Sequence, residues 1–391
     1  MIFINKRLIF ITMFIISISS SFAEIIGSDK YGYALDLPEG FVLSYSTNDN
    51  KGFQFFNAIY PVELLIRIYD SNEYDSAEKS LNKTLTKLSA TAESSIVKWR
   101  YTDCFLSKFQ LHLGEKLNEG WGLSVSLPDK KGFLVILAYT DFNNFNKNPL
   151  IESLILSTID SICIDYGSFY CSGPITTFAY PSSERENIII KIDDTLIKTS
   201  LDKNDYDAAE FVIEREFSVL TMFANTELWL DAWKRFYRQI YRDSYHRLKQ
   251  CSFDIYAELI TDAKKIDCKN PEKIIAKKLL SWVQNFEYER QTTNSDFISL
   301  PSIIAEKKGS DCDSRSLLLA ILLRQMNMNT TIFVSPIYNH ALLGIELDLP
   351  GAKITTKDKN YLLGETTAKV EIGLIEKNMS VTENWINIDF P

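Results

Sequence analysis

One cysteine stands at the start of a strongly apolar stretch, a position that suits a nucleophile. Cys312 follows the small polar turn Gly309-Ser310-Asp311 and precedes an apolar run that ends at Leu323. Asp311 or Ser310 can cap the predicted helix, because short side-chain oxygens accept from the free N–H groups of a first turn. The helix dipole favours negative charge there, which predicts a lowered thiol pKa and a reactive thiolate. A buried free cysteine without a chemical role is the alternative.

A cysteine nucleophile needs a base for its proton and an acceptor that orients the base, and both residue types follow. His340 opens a predicted strand directly after the turn at residues 336–339, and Glu365 lies on the next predicted strand. Neighbouring strands lie about 4.8 Å apart, so a carboxylate there can reach the imidazole ring. We therefore predict a triad of Cys312, His340 and Glu365, with Asp358 as the alternative acid.

Three segments that occur in order resemble motifs of the transglutaminase-like superfamily. They are the cysteine motif Lys308–Ala320 with Leu300–Ser302 before it, the histidine strand Tyr338–Gly344 and the acid strand Tyr361–Thr367. The resemblance covers roughly residues 270 to 380. It implies a papain-like core in which Cys312 is the nucleophile, His340 the base and Glu365 the third residue. Two departures stand out: the acid is commonly Asp in that family, and Ser310 is inserted where the pattern usually runs Gly-Asp-Cys.

These residues predict an acyl-transfer enzyme that forms a thioester at Cys312. The backbone N–H of Cys312 is the expected oxyanion donor, and Trp282, Tyr288 and Gln291 are candidates for a second donor. Hydrolysis of a peptide or amide bond would make the protein a cysteine protease or amidase, which we favour. Capture of the thioester by an amine would make it a cross-linking transglutaminase. The remaining alternative is a non-catalytic binding or scaffold protein of the cell envelope with a degenerate transglutaminase-like domain.

The first 23 residues predict export. Lys6 and Arg7 precede an apolar run at residues 8–16, and Ser21-Phe22-Ala23 resembles a signal-peptidase site. An uncleaved anchor is the alternative. Loss of Lys6 and Arg7 changes the formal charge from −9 to −11, which argues against nucleic acid as a partner. We expect a periplasmic or secreted protein without a membrane span after cleavage, acting on a peptide or protein substrate, with its oligomeric state left open.

The six cysteines and three histidines limit the possible metal chemistry. Export permits disulfides, and proximity in sequence suggests the pairs Cys163/Cys171 and Cys251/Cys268. We expect neither a metal nor a cofactor, because histidines are scarce and no Cys-x-x-Cys spacing occurs.

The composition is that of a globular chain, with 46% hydrophobic and 24% charged residues over 391 positions. We predict an α+β protein of several parts. They are a signal peptide at 1–23, an N-terminal α/β sandwich at 24–180, a small hairpin with helices at 187–269 and a transglutaminase-like domain at 270–391. The N-terminal strand and turn pattern loosely resembles PsbP-like domains.

Two local predictions concern the connection between these parts. Residues 171–186 are rich in Ser, Gly and Pro and are predicted to be a linker. A long helix is predicted from about Thr226 to Cys251. Its basic residues invite a nucleic-acid interpretation, but acidic residues nearby favour a solvated helix face. These basic residues are Lys234, Arg235, Arg238, Arg242 and Arg247.

The C-terminal part is predicted to pack a Cys-bearing helix on an antiparallel sheet.

Overall fold

The computed structural model describes residues 25–290, 295–356 and 359–391. Their secondary structure is 38% helix and 31% strand, which confirms the α+β class. The predicted signal peptide at residues 1–23 lies outside the described residues.

The N-terminal part is built around a large antiparallel sheet. The strands of the N-terminal part are β1 (Ile25–Ser28), β2 (Tyr33–Asp36), β3 (Phe41–Ser46), β4 (Gly52–Asn57), β5 (Glu63–Tyr69), β6 (Thr91–Trp99), β7 (Thr102–Leu113), β8 (Lys116–Ser126), β9 (Phe133–Asp141) and β10 (Ile162–Cys163). Its helices are α1 (Ala77–Lys87), α2 (Phe142–Lys147), α3 (Pro149–Asp160) and α4 (Pro174–Ala179). The large sheet has the order β3-β4-β5-β9-β8-β7-β6, and β1-β2-β10 form a smaller one.

Helices cover both faces of the large sheet, as the apolar character of its central strand requires. Because strand side chains alternate between faces, Leu134 and Ile136 of β9 pack with α3, whereas Val135 and Leu137 pack with α1. A strand buried on both faces has a continuous apolar sequence, as β9 does.

The predicted linker at residues 171–186 is wrong for its first part, because residues 173–176 are buried and α4 begins there. The carboxylate of Asp160 accepts hydrogen bonds from the backbone N–H groups of Ile175 (2.7 Å) and Thr176 (3.3 Å) at the start of α4. Gly173 allows this approach, since a Cβ there would lie 2.1 Å from the Asp160 carboxylate. A buried acid therefore fixes a segment whose composition predicted a loop.

A hairpin and three helices follow. They are β11 (Arg185–Ile192), β12 (Thr195–Asp202), α5 (Asp205–Phe223), α6 (Trp229–Arg247) and α7 (Lys249–Ile266). The long helix predicted to end near Cys251 is therefore two helices. The chain turns at Leu248, which is fully buried, so that α6 and α7 both contribute to one core.

The arginines of α6 are buried in a polar interface, and the predicted solvated face is wrong. Arg235 is 1% exposed and donates to Glu216 (2.7 Å) and to the backbone carbonyl of Asp36 (2.8 Å). Arg242 donates to the carbonyls of Asp160 (2.7 Å) and Ile162 (2.6 Å). Buried charges need such partners because their desolvation is costly. These contacts attach α6 to the N-terminal part.

The C-terminal part contains helices α8 (Pro271–Gln284), α9 (Leu300–Ile304) and α10 (Cys312–Gln325) and strands β13 (Thr330–Ser335), β14 (His340–Ile345), β15 (Lys353–Thr356), β16 (Lys359–Gly364) and β17 (Ile386–Ile388). The antiparallel sheet has the order β15-β16-β14-β13-β17. Helix α10 packs on β13 and β14 with eleven buried side chains. One apolar core runs from Ile190 to Ile388 and crosses the boundary predicted at residue 270.

Candidate active site

Asp311 caps the helix that begins at Cys312. Its carboxylate accepts from the backbone N–H of Ser314 at 3.1 Å, and the Ser314 hydroxyl accepts from the backbone N–H of Asp311 at 3.1 Å. This reciprocal capping box confirms Asp311 as one of the two predicted caps. Cys312 occupies the first helical position, where its own N–H has no acceptor within the helix. The cysteine is 9% exposed.

Ser310 anchors the turn before the cysteine. It is fully buried and pairs through its backbone with residues 287–289: its N–H donates to the Glu287 carbonyl (3.0 Å), and its carbonyl accepts from the Glu289 N–H (3.1 Å). Gly309 permits this pairing, because a Cβ there would lie 2.5 Å from the Cβ of Glu289. Ser310 therefore forms a bridge between the cysteine turn and the segment around Tyr288.

Arg315 joins the segments that surround the helix start. Its guanidinium is buried and donates to the Ser310 hydroxyl (2.8 Å) and to the carbonyls of Phe286 (2.9 Å) and Thr366 (3.3 Å). These partners are neutral, and burial lowers the pKa of Arg315. Arg315 thus holds the end of α8, the cysteine turn and the residue after Glu365 in one arrangement.

The structure brings His340 and Glu365 together. His340 begins β14. The residue before it, Asn339, has a φ of +47° and ends the turn that connects β13 to β14. Nε2 of His340 lies 2.7 Å from Oε2 of Glu365, and Oε1 of Glu365 accepts from the N–H and the hydroxyl of Thr367, both at 2.7 Å. Burial alone would raise the pKa of Glu365, but the hydrogen bonds from His340 and Thr367 lower it to about 2. Glu365 is therefore an ionised acceptor.

The start of α10 lies beside β14, which carries His340, and beside Glu365, which directly follows the end of β16. The hydroxyl of Thr366 donates to the carbonyl of Cys312 at 3.5 Å, and the Ser316 hydroxyl donates to the carbonyl of Ala341 at 3.4 Å. The backbone N–H of Ala341 also interacts with the sulfur and favours its ionised form. Cys312 is thus next to the residue that follows His340 and the residue that follows Glu365.

The predicted lowering of the cysteine pKa is wrong. Burial and the negative charges of Asp313 and Asp311 raise the pKa of the Cys312 thiol, which donates to Oδ1 of Asp313 at 3.1 Å. Burial, together with these neighbouring carboxyl groups, outweighs the helix terminus, which acts as roughly half a charge. Cys312 is therefore a thiol whose proton must be removed during any reaction.

Sequence reasoning missed four residues that contact the site. Gln284, at the end of α8, donates to the carbonyl of Glu365 at 2.8 Å. The ring of Trp385 lies 6.5 Å from that of His340, edge to face. Tyr237 of α6 donates to the carboxylate of Asp313. Asp313 was within reach of sequence reasoning because it adjoins Cys312, whereas the other three belong to segments distant in sequence.

The remaining predicted residues have different outcomes. Tyr288 is 56% exposed, and partial burial together with the nearby Cys312 raises its pKa. Trp282 packs edge to face on Phe286, 4.8 Å between ring centroids, inside the core. Gln291 and Asp358 lie outside the described residues.

All six cysteines are free thiols, so neither suspected disulfide is present. Cys251 is fully buried, whereas Cys268 is exposed beyond the end of α7. In the described ranges, no group of three or more His, Cys, Asp or Glu residues is arranged to hold a metal ion. Among the helices described, none has the length and apolar character needed to cross a membrane.

No family model matches the chain, and no curated protein matches it. A solved structure of cyanobacterial PsbP (CyanoP) from Synechocystis sp. PCC 6803 is similar at 12% identity and a TM-score of 0.30, over 36% of this chain and 91% of that one. The Ran-binding protein Mog1p of Saccharomyces cerevisiae is similar at 8% identity and a TM-score of 0.28, over 36% and 94%. A crystal structure from Bacteroides thetaiotaomicron VPI-5482 is similar at 13% identity and a TM-score of 0.23, over 74% and 94%. These similarities are too weak to carry an argument about family or function.

Proposed function

We propose that this protein is a cysteine-dependent acyl-transfer enzyme that cleaves peptide or amide bonds through a thioester at Cys312. The observation that carries the proposal is the 2.7 Å hydrogen bond between His340 and Glu365, beside a helix that begins at Cys312. The proposal includes the resemblance to the transglutaminase-like superfamily, a papain-like core from about residue 270 onward and export of the chain.

The hydrogen bond to Glu365 determines which imidazole nitrogen is free to accept the thiol proton. An ionised carboxylate accepts, so Nε2 of His340 carries the hydrogen and Nδ1 is the acceptor. Sulfur attacks the carbonyl carbon of the substrate while the thiol proton moves to Nδ1. The electron pair of the C=O bond moves to oxygen, towards the N–H of Cys312, which has no acceptor within its helix.

His340 then returns the proton to the leaving nitrogen as the C–N bond breaks, and the acyl group remains on Cys312 as a thioester. Water attacks the thioester with His340 as base, which releases a carboxylic acid and restores the thiol. An amine in place of water would form a new amide, and the protein would then be a cross-linking transglutaminase. We favour water because an exported enzyme works in an aqueous compartment, where a peptide of the cell envelope is a suitable substrate.

One observation favours a second candidate, a non-catalytic binding or scaffold protein with a degenerate site. The thiol is 9% exposed and is bonded to Asp313 with a raised pKa. Such a cysteine can serve packing alone.

Acyl trapping distinguishes the two candidates. The full chain is incubated with cell-wall peptides and with peptides from exported proteins, quenched in acid and mapped by mass spectrometry. We expect an acyl adduct on Cys312 that Cys312→Ala abolishes and that His340→Ala, which keeps the thiol, strongly reduces. The control Cys268→Ala, at an exposed cysteine, should retain it. A folded protein that forms no adduct and cleaves no peptide would be the scaffold.

A further inference from the structure

The carboxyl group of Asp313 contacts the reactive sulfur, although the triad chemistry does not require it. The Cys312 thiol donates to Oδ1 of Asp313 at 3.1 Å, and the Tyr237 hydroxyl donates to Oδ2. Tyr237 is 1% exposed, and burial together with the charge of Asp313 raises its pKa well above the usual value, so it stays a hydroxyl. Each carboxylate oxygen thus has a donor, and one of the two donors is the nucleophile.

Titratable groups from several neighbouring segments face this pair. They are Tyr237 from α6, Tyr288 and Asp296 before α9, Asp311 at the helix cap, Arg315 within α10, His340 on β14 and Glu365 after β16. The acids outnumber the cations, and Arg290 pairs with Asp296 at 2.7 Å. Burial raises the pKa of Asp313 above its usual value, and the hydrogen bonds from Tyr237 and Cys312 offset only part of that rise.

We propose that Asp313 is a further catalytic residue of this site, whose carboxylate holds Cys312 as a hydrogen-bonded thiol in the resting enzyme, with Tyr237 as its positioning residue. The inference rests on the proposed function. In the resting state the proton stays on sulfur, and the carboxylate disfavours thiolate. When Asp313 releases the thiol, the proton passes to Nδ1 of His340 as the S–C bond to substrate forms. The pair therefore restrains the nucleophile until a substrate occupies the site.

The test measures thiol reactivity and needs no substrate. The full chain is alkylated with iodoacetamide between pH 5 and 10, and peptide mass spectrometry gives separate rates for Cys312 and for the exposed Cys268, an internal control. Asp313→Asn keeps the shape but removes the charge. A fall of one unit in thiol pKa raises the thiolate fraction about tenfold, and the lower nucleophilicity of that thiolate leaves a net gain of about threefold. We expect Cys312 to react at least about threefold faster at pH 7, with Cys268 unchanged.

Two further variants keep the test independent of folding. Asp129→Asn is the matched control, because that side chain is 81% exposed and lies in the N-terminal part. Tyr237→Phe removes the anchoring hydroxyl, so we expect a smaller gain in Cys312 alkylation. That gain should vanish when Asp313 is already Asn, since Tyr237 acts through the carboxylate. A purely structural role for Tyr237 would give the same effect in both backgrounds.

Unchanged or slower alkylation of Cys312 in folded Asp313→Asn would overturn the inference. Equal effects of Tyr237→Phe with and without Asp313 would overturn the positioning role. If the acyl adduct depends on His340 but Cys312 is alkylated at the same rate in Asp313→Asn as in the wild type, the enzyme proposal stands and this inference fails. If alkylation responds to Asp313 but no acyl adduct forms on any peptide, the restraint on the thiol stands and the enzyme proposal fails.

Discussion

The Glu365 carboxylate should make the stability of the protein depend on acid pH. Burial opposes ionisation, but the hydrogen bonds from His340 and Thr367 lower the pKa of Glu365 from 4.5 to about 2. Because the pKa is lower in the folded than in the unfolded state, ionised Glu365 stabilises the fold above pH 4.5. This contribution is lost as the pH falls towards 2. The difference between the two pKa values corresponds to about 3 kcal/mol of unfolding free energy.

Glu365→Gln isolates this contribution, since it removes the charge and keeps the shape. Urea denaturation followed by tryptophan fluorescence gives the unfolding free energy of both proteins between pH 6 and 2. We expect the wild type to have the higher unfolding free energy. The difference between wild type and variant should be largest above pH 5 and should shrink by about 3 kcal/mol towards pH 2. The matched control is Glu371→Gln, at a side chain that is 76% exposed, and its difference from wild type should stay near zero.

A constant difference between wild type and Glu365→Gln from pH 6 to pH 2 would refute this reasoning. It would mean that the folded state does not favour ionised Glu365, and the assignment of Nε2 as the hydrogen-bearing nitrogen of His340 would lose its support. A difference that grows as the pH falls would contradict the reasoning as well, because it requires a raised pKa.

Three further substitutions test the contacts that position the site. Arg315→Met leaves the oxygens around the cysteine turn without a buried donor and should lower the unfolding free energy in urea by at least about 3 kcal/mol. Gly309→Ala places a Cβ 2.5 Å from that of Glu289 and should cost about 1–3 kcal/mol in the same assay. Glu216→Gln leaves the buried Arg235 without its charged partner and should cost about 3–5 kcal/mol.

Each of these substitutions has a control. Gly364→Ala places a Cβ no closer than 3.4 Å to its neighbours, so it should cost less than Gly309→Ala. Lys203→Met, at a side chain that is 55% exposed, should change stability by less than about 1 kcal/mol. If Arg315→Met or Glu216→Gln costs no more than Lys203→Met, the buried contacts do not stabilise the fold as argued.

The parts of the site that the sequence predicted depend on neighbouring residues. A polar turn before an apolar run predicted a helix start at Cys312, and capping by Asp311 depends only on Ser314, three residues away. A turn followed by alternating residues predicted a strand that begins at His340. The spacing of the two strands was enough to predict contact between His340 and Glu365.

The predictions that were wrong concern burial and contacts that the chain acquires on folding. The helix terminus predicted a thiolate, but burial and the adjacent Asp313, which is bonded to Tyr237 of α6, raise the cysteine pKa. The arginines of α6 were predicted to be solvated, because nothing in their own helix indicates that the N-terminal part covers them. Composition predicted a linker at residues 171–186, whereas Asp160 fixes the start of α4 within that range.

The sequence by itself determined the helix that begins at Cys312, narrowed its cap to Asp311 or Ser310, and determined the strand that begins at His340, because hydrogen bonds and apolar periodicity within a few residues decide such features. Only the tertiary structure decided the charge around the sulfur. The pKa of a buried thiol depends on every carboxylate and donor within a few ångströms, and here Asp313 and its partner Tyr237 are brought together by the packing of α6 near the start of α10. The local sequence therefore predicted where Cys312 lies, and burial together with the packing of α6 decided that it is held as a thiol.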